Sequence, residues 1–93
     1  MIIGYQNKIT EEFAQNGKHK KIPNQIWQRA MMRLIQLDNA TIIDDLRIPF
    51  SNKLEALTGD RLGQYSIRIN QQWRICFHFE NGNAHGVEIV DYH

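Results

Sequence analysis

Arg68 and Arg74, together with the closing tripeptide Asp91-Tyr92-His93, are the side chains of this 93-residue sequence best suited to act together in chemistry. An arginine keeps its charge and offers a planar fork to an anion. A histidine titrates near neutral pH. Tyr92, Asp91 or, upstream, Glu55 could take or give a proton, with Lys53 a further cation close by in sequence. Cleavage of RNA without a metal needs such parts: a group to deprotonate the ribose 2'-hydroxyl, cations for the phosphorane charge, and an acid for the departing 5'-oxygen. The parts fit that reaction without singling it out.

Strands must bring these residues together. From Gly59 to the end the sequence shows three strand patterns punctuated by two short turns. Tyr65, Ile67 and Ile69 alternate with polar residues, and so do Trp73, Ile75, Phe77 and Phe79, as in half-buried antiparallel strands. A slip of one residue would turn a whole strand over, so both apolar sets face one core only if Ile69 pairs with Trp73 across a turn at Asn70, Gln71 and Gln72. Arg68 then lies opposite Arg74. Facing like charges repel, so either both arginines are solvated on an open face or an anion sits between them. The pattern leaves both open. Placing Val87 and Ile89 in the same core predicts an even-parity register about Asn81, Gly82 and Asn83. That puts Glu88, Val90 and Tyr92 on the arginine face. His93 has core parity and reaches that face only through a twist or bulge.

The remainder of the chain supplies what the sheet packs against. Thr10 is the expected N-cap of a first helix, with Glu11 and Glu12 in its first turn and Gly17 closing it. Lys18 to Lys21 is a basic connector. Pro23 suits the start of a second helix, whose apolar stripe is Ile26, Ala30, Leu34 and Leu37, flanked by Trp27 and Met31. Gln25, Gln28, Arg29, Arg33 and Gln36 are expected on its polar side. Residues 38–53 lose periodicity and connect helices to sheet, with Leu46, Ile48 and Phe50 as candidates to pack beneath and Leu54 and Leu57 as anchors. Met1 to Tyr5 is a short strand candidate. The expected class is α+β: an N-terminal strand, two helices and a three-stranded antiparallel meander completing one sheet, in a single domain spanning residues 1–93.

Composition narrows the function classes. A 42% apolar chain with two Trp, three Tyr and four Phe can build one modest core. The formal charge of +1 does not announce a nucleic-acid binder. Its distribution is more telling: residues 13–37 hold five Lys or Arg and no acid, whereas residues 79–93 hold three acids and no Lys or Arg. One cysteine, Cys76, excludes an internal disulfide, and His19, His78, His85 and His93 lack metal-ligand spacing. Neither a metal nor a cofactor is expected. No run approaches the roughly 20 apolar residues of a membrane span and no cleavable signal is evident, so the chain reads as soluble and cytoplasmic, without a membrane partner. No phosphate loop or Ser-His-Asp arrangement occurs.

Taken together, Arg47-Ile48-Pro49, Leu54-Glu55-Ala56-Leu57, Gly59-Asp60-Arg61, the run Gly63 to Asn70, Trp73-Arg74-Ile75-Cys76-Phe77 and the closing Val87 to His93 resemble the HigB-type toxins of the RelE/ParE superfamily. The resemblance covers nearly the whole chain. It implies a compact microbial RNase fold, cleavage of mRNA in the ribosomal A site, and neutralisation by a HigA-type helix-turn-helix antitoxin through which operator DNA could be bound. It places Arg68 and Arg74 at phosphate-binding positions and Asp91, Tyr92 and His93 in the catalytic segment, with Glu55 a further catalytic candidate and Lys53, Arg61 and Ser66 as substrate-binding ones. Thr58 stands where such toxins commonly have Lys, Glu55 where some have His, and Phe50 where Pro is usual. Threonine is no cationic acid or base near neutral pH, which shifts proton transfer toward Glu55, His93 or Lys53. The alternatives are a ParE-like inhibitor of DNA gyrase, which would need neither the paired arginines nor the terminal tripeptide, and a degenerate toxin that only binds its antitoxin and modulates operon repression.

Overall fold

The computed structural model describes residues 1–92. Helix α1 spans Lys8–Asn16 and α2 spans Trp27–Asn39. Four strands follow: β1 (Glu55–Ala56), β2 (Tyr65–Arg68), β3 (Trp73–Glu80) and β4 (Asn83–Asp91), antiparallel in the order β1-β2-β3-β4. The α+β class is as expected, with two differences in detail. The N-terminal segment lies along β4 through two isolated parallel bridges, Ile2 to Ala84 and Tyr5 to Val87. The short β1, which the sequence did not announce, adds a fourth strand at the opposite edge.

The core forms where the apolar stripes meet. Ile26, Ala30, Leu34 and Leu37 are buried together with Phe13 of α1 and with Ile67, Ile69, Ile75, Phe77, Val87 and Ile89 of the sheet. Trp27 and Met31 flank them, half-buried, and the Trp27 indole N–H donates to the carbonyl of Ile22 at 2.7 Å. Leu46 joins this cluster and Leu54 packs against it. Ile48 and Phe50 do not: they are 77% and 86% exposed, because the short 3-10 turns at Ile43–Arg47 and Phe50–Asn52 leave room beneath the loop for Leu46 and the buried Asn52.

Helix α1 corrects the expected cap. Asn7, extended at φ −147° and ψ 166°, is the N-cap, its side chain accepting from the Thr10 amide at 2.9 Å. Thr10 is fully buried inside the helix, and its hydroxyl accepts from the Ile89 amide at 3.1 Å. It ties helix to sheet. Gly17, at φ 75°, closes α1 as expected, its amide donating to Phe13. Asn7→Ala should therefore cost about 1 kcal/mol, seen as a lower urea midpoint; an unchanged midpoint would remove Asn7 from the cap.

The sheet register follows the parity argument on one side and departs from it on the other. Arg68 pairs with Arg74 and Ile67 with Ile75, and the Ile69 amide donates to the Trp73 carbonyl at 2.8 Å. The turn between them is built by Asn70, whose side-chain oxygen accepts from the amides of Gln72 and Trp73. The second turn is the two-residue Asn81-Gly82, at φ 54° and 79°, a form that both residues favour. Its register, Glu80 with Asn83 and Phe79 with Ala84, is odd-parity, not the even one expected. A bulge between Cys76 and His78 then restores Ile75 opposite Ile89. Gly86, at φ 61°, provides it, so that Ala84 and Val87 both point into the core.

Candidate active site

Strand pairing assembles the candidate site one row at a time. The two-residue strand β1 sets Glu55 opposite Ser66, and Ser66 lies opposite Cys76, itself opposite Glu88. The next row holds Arg68, Arg74 and Val90. Alternation along β4 carries Tyr92 to the same face, where the Arg74 guanidinium lies 5.6 Å from the centre of its ring. The Tyr92 amide is held by the Gln72 carbonyl at 2.6 Å.

Arg74 is the centre of this arrangement. It is only 7% exposed, so of the two alternatives left open by the strand pattern, the one with both arginines solvated does not hold for it. One guanidinium nitrogen is 3.0 Å from Oε1 of Glu55 and also donates to the Ser66 hydroxyl. Burying a guanidinium is tolerable when it is paired and hydrogen-bonded, and Glu55, Ser66 and the Tyr92 ring together do this. The Glu55 side chain itself is 58% exposed. A ligand can therefore reach the carboxylate and, through it, the arginine.

Arg68, opposite Arg74, faces a cleft of about 270 Å³ lined also by Lys53, Ser51, Arg33 and Arg29. Its Nε is buried without a hydrogen-bond acceptor among the described residues. Arg33 corrects the expected polar side of α2: it is buried, its Nε donating to the Arg68 carbonyl at 3.0 Å and another nitrogen to the Ser51 hydroxyl at 3.3 Å. Burial, and then the neighbouring Arg29, push its pKa below the usual arginine value. The signal for this contribution was the acid-free basic run of residues 13–37. Contact with the open end of β2 could not be read from it.

The other candidates stand around this centre. Arg61 lies further along the same face, 3.2 Å from Oε1 of Glu88 and 3.1 Å from the Gln64 side-chain oxygen. Beside it the Cys76 thiol is fully buried, and burial raises its pKa. Asp91 has core parity, opposite Trp73, and its carboxylate accepts from the Gln72 amide group at 3.1 and 3.2 Å. His93 lies outside the described residues. Thr58 is exposed on the loop between β1 and β2. Among the described residues no three His, Cys, Asp or Glu side chains converge as a metal site, and no helix is long and apolar enough to cross a membrane. The arrangement offers an accessible carboxylate beside a held guanidinium, an aromatic face, and further cations next to them.

Residues 4–93 match the family model described as a RelE-like toxin of the type II toxin-antitoxin system HigB. The chain is 38% identical over 85 residues to Toxin HigB-1 of Vibrio cholerae, covering 90% of each. It is 37% identical over 93 residues to Endoribonuclease HigB of Proteus vulgaris, covering both completely. Among solved structures, the YoeB-YefM complex from Staphylococcus aureus contains a chain of the same fold, with a TM-score of 0.61 at 20% identity, covering 100% of this chain and 95% of that one.

Proposed function

The chain belongs to the RelE-like HigB toxins of type II toxin–antitoxin systems, and from that premise we propose that it is an endoribonuclease that cuts mRNA in the ribosomal A site. The observation that carries this reading is the grouping of Glu55, Arg74 and Tyr92, with Arg68 opposite Arg74 on the neighbouring strand. In the proposed reaction Glu55 takes the proton of a ribose 2'-hydroxyl. The resulting oxygen attacks the adjacent phosphorus, and the P–O5' bond breaks to leave a 2',3'-cyclic phosphate. Arg74 and Arg68 offset the charge of the phosphorane, a role in which preorganised donors act strongly. His93 returns a proton to the departing 5'-oxygen, as suits a side chain with an ordinary pKa of about 6.5. Tyr92 orients the phosphate or stacks on a base. Asp91 is assigned to the same catalytic segment, and Ser66 and Arg61 to the substrate face.

Thr58 supplies no charge near neutral pH, so proton transfer rests on Glu55 and His93. The proposed partner is a HigA-type helix-turn-helix antitoxin, which also carries the pair to operator DNA. The relationship to curated HigB proteins supports this.

Mapping transcript 5' ends after induction tests the reading. New ends inside translated codons are expected, together with growth arrest. Glu55→Gln and removal of His93 should each abolish most of both; melting temperature should stay nearly unchanged without His93 and fall somewhat in Glu55→Gln, which leaves the buried Arg74 without its charge partner. Full toxicity without His93 would move the acid to Lys53. Arrest without transcript cleavage, accompanied by collapse of plasmid supercoiling, would replace the nuclease by a gyrase inhibitor.

A further inference from the structure

The cleft at the open end of β2 is distinct in how its charges are satisfied. Elsewhere arginines meet carboxylates: Arg47 with Asp44 at 2.7 Å, Arg61 with Glu88 at 3.2 Å, Arg74 with Glu55 at 3.0 Å. Among the described residues the cleft is lined by Arg29, Arg33, Lys53 and Arg68 and by no Asp or Glu. The contacts that hold Arg29 and Arg33 in place are to oxygens without charge: the Ile69 carbonyl at 3.4 Å, the Arg68 carbonyl and the Ser51 hydroxyl. Their positive charge is therefore directed without being neutralised. Arg68 adds a buried Nε–H with no acceptor, a donor that costs free energy until an acceptor reaches it. At the rim Phe50 is 86% exposed, with the Lys53 ammonium 5.7 Å from its ring centre. A large aromatic ring so exposed beside a cationic groove is the combination by which proteins hold single-stranded nucleic acid: phosphate in the groove, base on the ring.

Resting on the nuclease reading above, we propose that this cleft is a subsite for one nucleotide flanking the scissile bond. Its backbone phosphate is bound by Arg29, Arg33, Lys53 and Arg68, and its base stacks on Phe50. Arg68, opposite Arg74 on the sheet and also lining the cleft, joins the subsite to the reacting phosphate. Phe50 is then a substrate contact, which accounts for an aromatic residue standing in solvent.

The test uses the whole chain and a single-stranded RNA oligonucleotide with 2'-O-methyl riboses throughout, which no 2'-hydroxyl attack can cut. Binding is followed by fluorescence anisotropy over a series of salt concentrations. The R29A/K53A double variant should flatten the dependence of log K on log salt by about 0.7 or more, the loss of one single-strand phosphate contact. F50A should weaken binding about tenfold with the slope unchanged, since stacking releases no counterions. All three positions are exposed, and equal melting temperatures would show that the fold is kept. A wild-type slope in R29A/K53A overturns the phosphate site, and wild-type affinity in F50A overturns the stacking. Because the probe is never cut, these results are independent of transcript mapping: a failed nuclease reading would show there and not here.

Discussion

Arg74→Ala should reduce mRNA cleavage on translating ribosomes by about 10²–10³-fold, the loss that follows removal of one preorganised donor to transition-state charge, roughly 3 to 4 kcal/mol. The expectation rests on how the guanidinium is held. Glu55, Ser66 and the Tyr92 ring fix it on a rigid strand at 7% exposure, so it need not reorganise as charge develops. Stability should change little by comparison. The Glu55 side chain is largely in water and re-solvates when its partner goes, and removing one of two opposed arginines relieves repulsion on the sheet. Arg74→Lys should recover little activity, because one guanidinium nitrogen already meets both Glu55 and Ser66 and an ammonium that took its place would lack the guanidinium's remaining donors for a phosphate. Specific activity and melting temperature must be measured together. A soluble Arg74→Ala protein that is fully active, or whose activity falls only as far as its folded fraction, would make Arg74 a structural residue.

Phe77→Ala is the counterpart on the other face, and it should act on folding. Phe77 is fully buried, its ring 6.2 Å from that of Tyr65 and edge-on to that of Phe79 at 6.5 Å. It also sits where β4 bulges, between the Cys76 and His78 pairings, so little in the surroundings can collapse into the space it vacates. The cost should be about 3 to 5 kcal/mol, a large share of the 5 to 15 kcal/mol typical of a small domain. Urea unfolding would show it as a lower midpoint, with poor soluble yield. A variant that folded normally but failed to bind RNA would put Phe77 on the wrong face and overturn the register.

Patterns of short range were legible without coordinates. Alternation along β2 and β3 placed Ile67, Ile69, Ile75 and Phe77 in the core, and it forced Arg68 opposite Arg74, because a strand has only two faces and one of them must be buried. The 3.6-residue stripe of α2 and the glycine that ends α1 were equally plain. Other features were decided by distant parts of the chain. Thr10 and Asn7 are both good caps; Thr10 is excluded from that role because its hydroxyl is claimed by Ile89, 79 residues away. The Asn81-Gly82 turn and the Gly86 bulge offset each other by one residue, and parity alone reads only their sum. The acid-free basic run of residues 13–37 was visible, but its aim at the end of β2 was not, since Arg33 meets Arg68 only once helix and sheet have packed. Residue types and alternation determined which face of the sheet is core and that Arg68 and Arg74 stand opposite each other. Tertiary packing decided that Glu55, from a two-residue edge strand, would hold Arg74, because that pairing depends on how the long loop before β1 returns to the sheet.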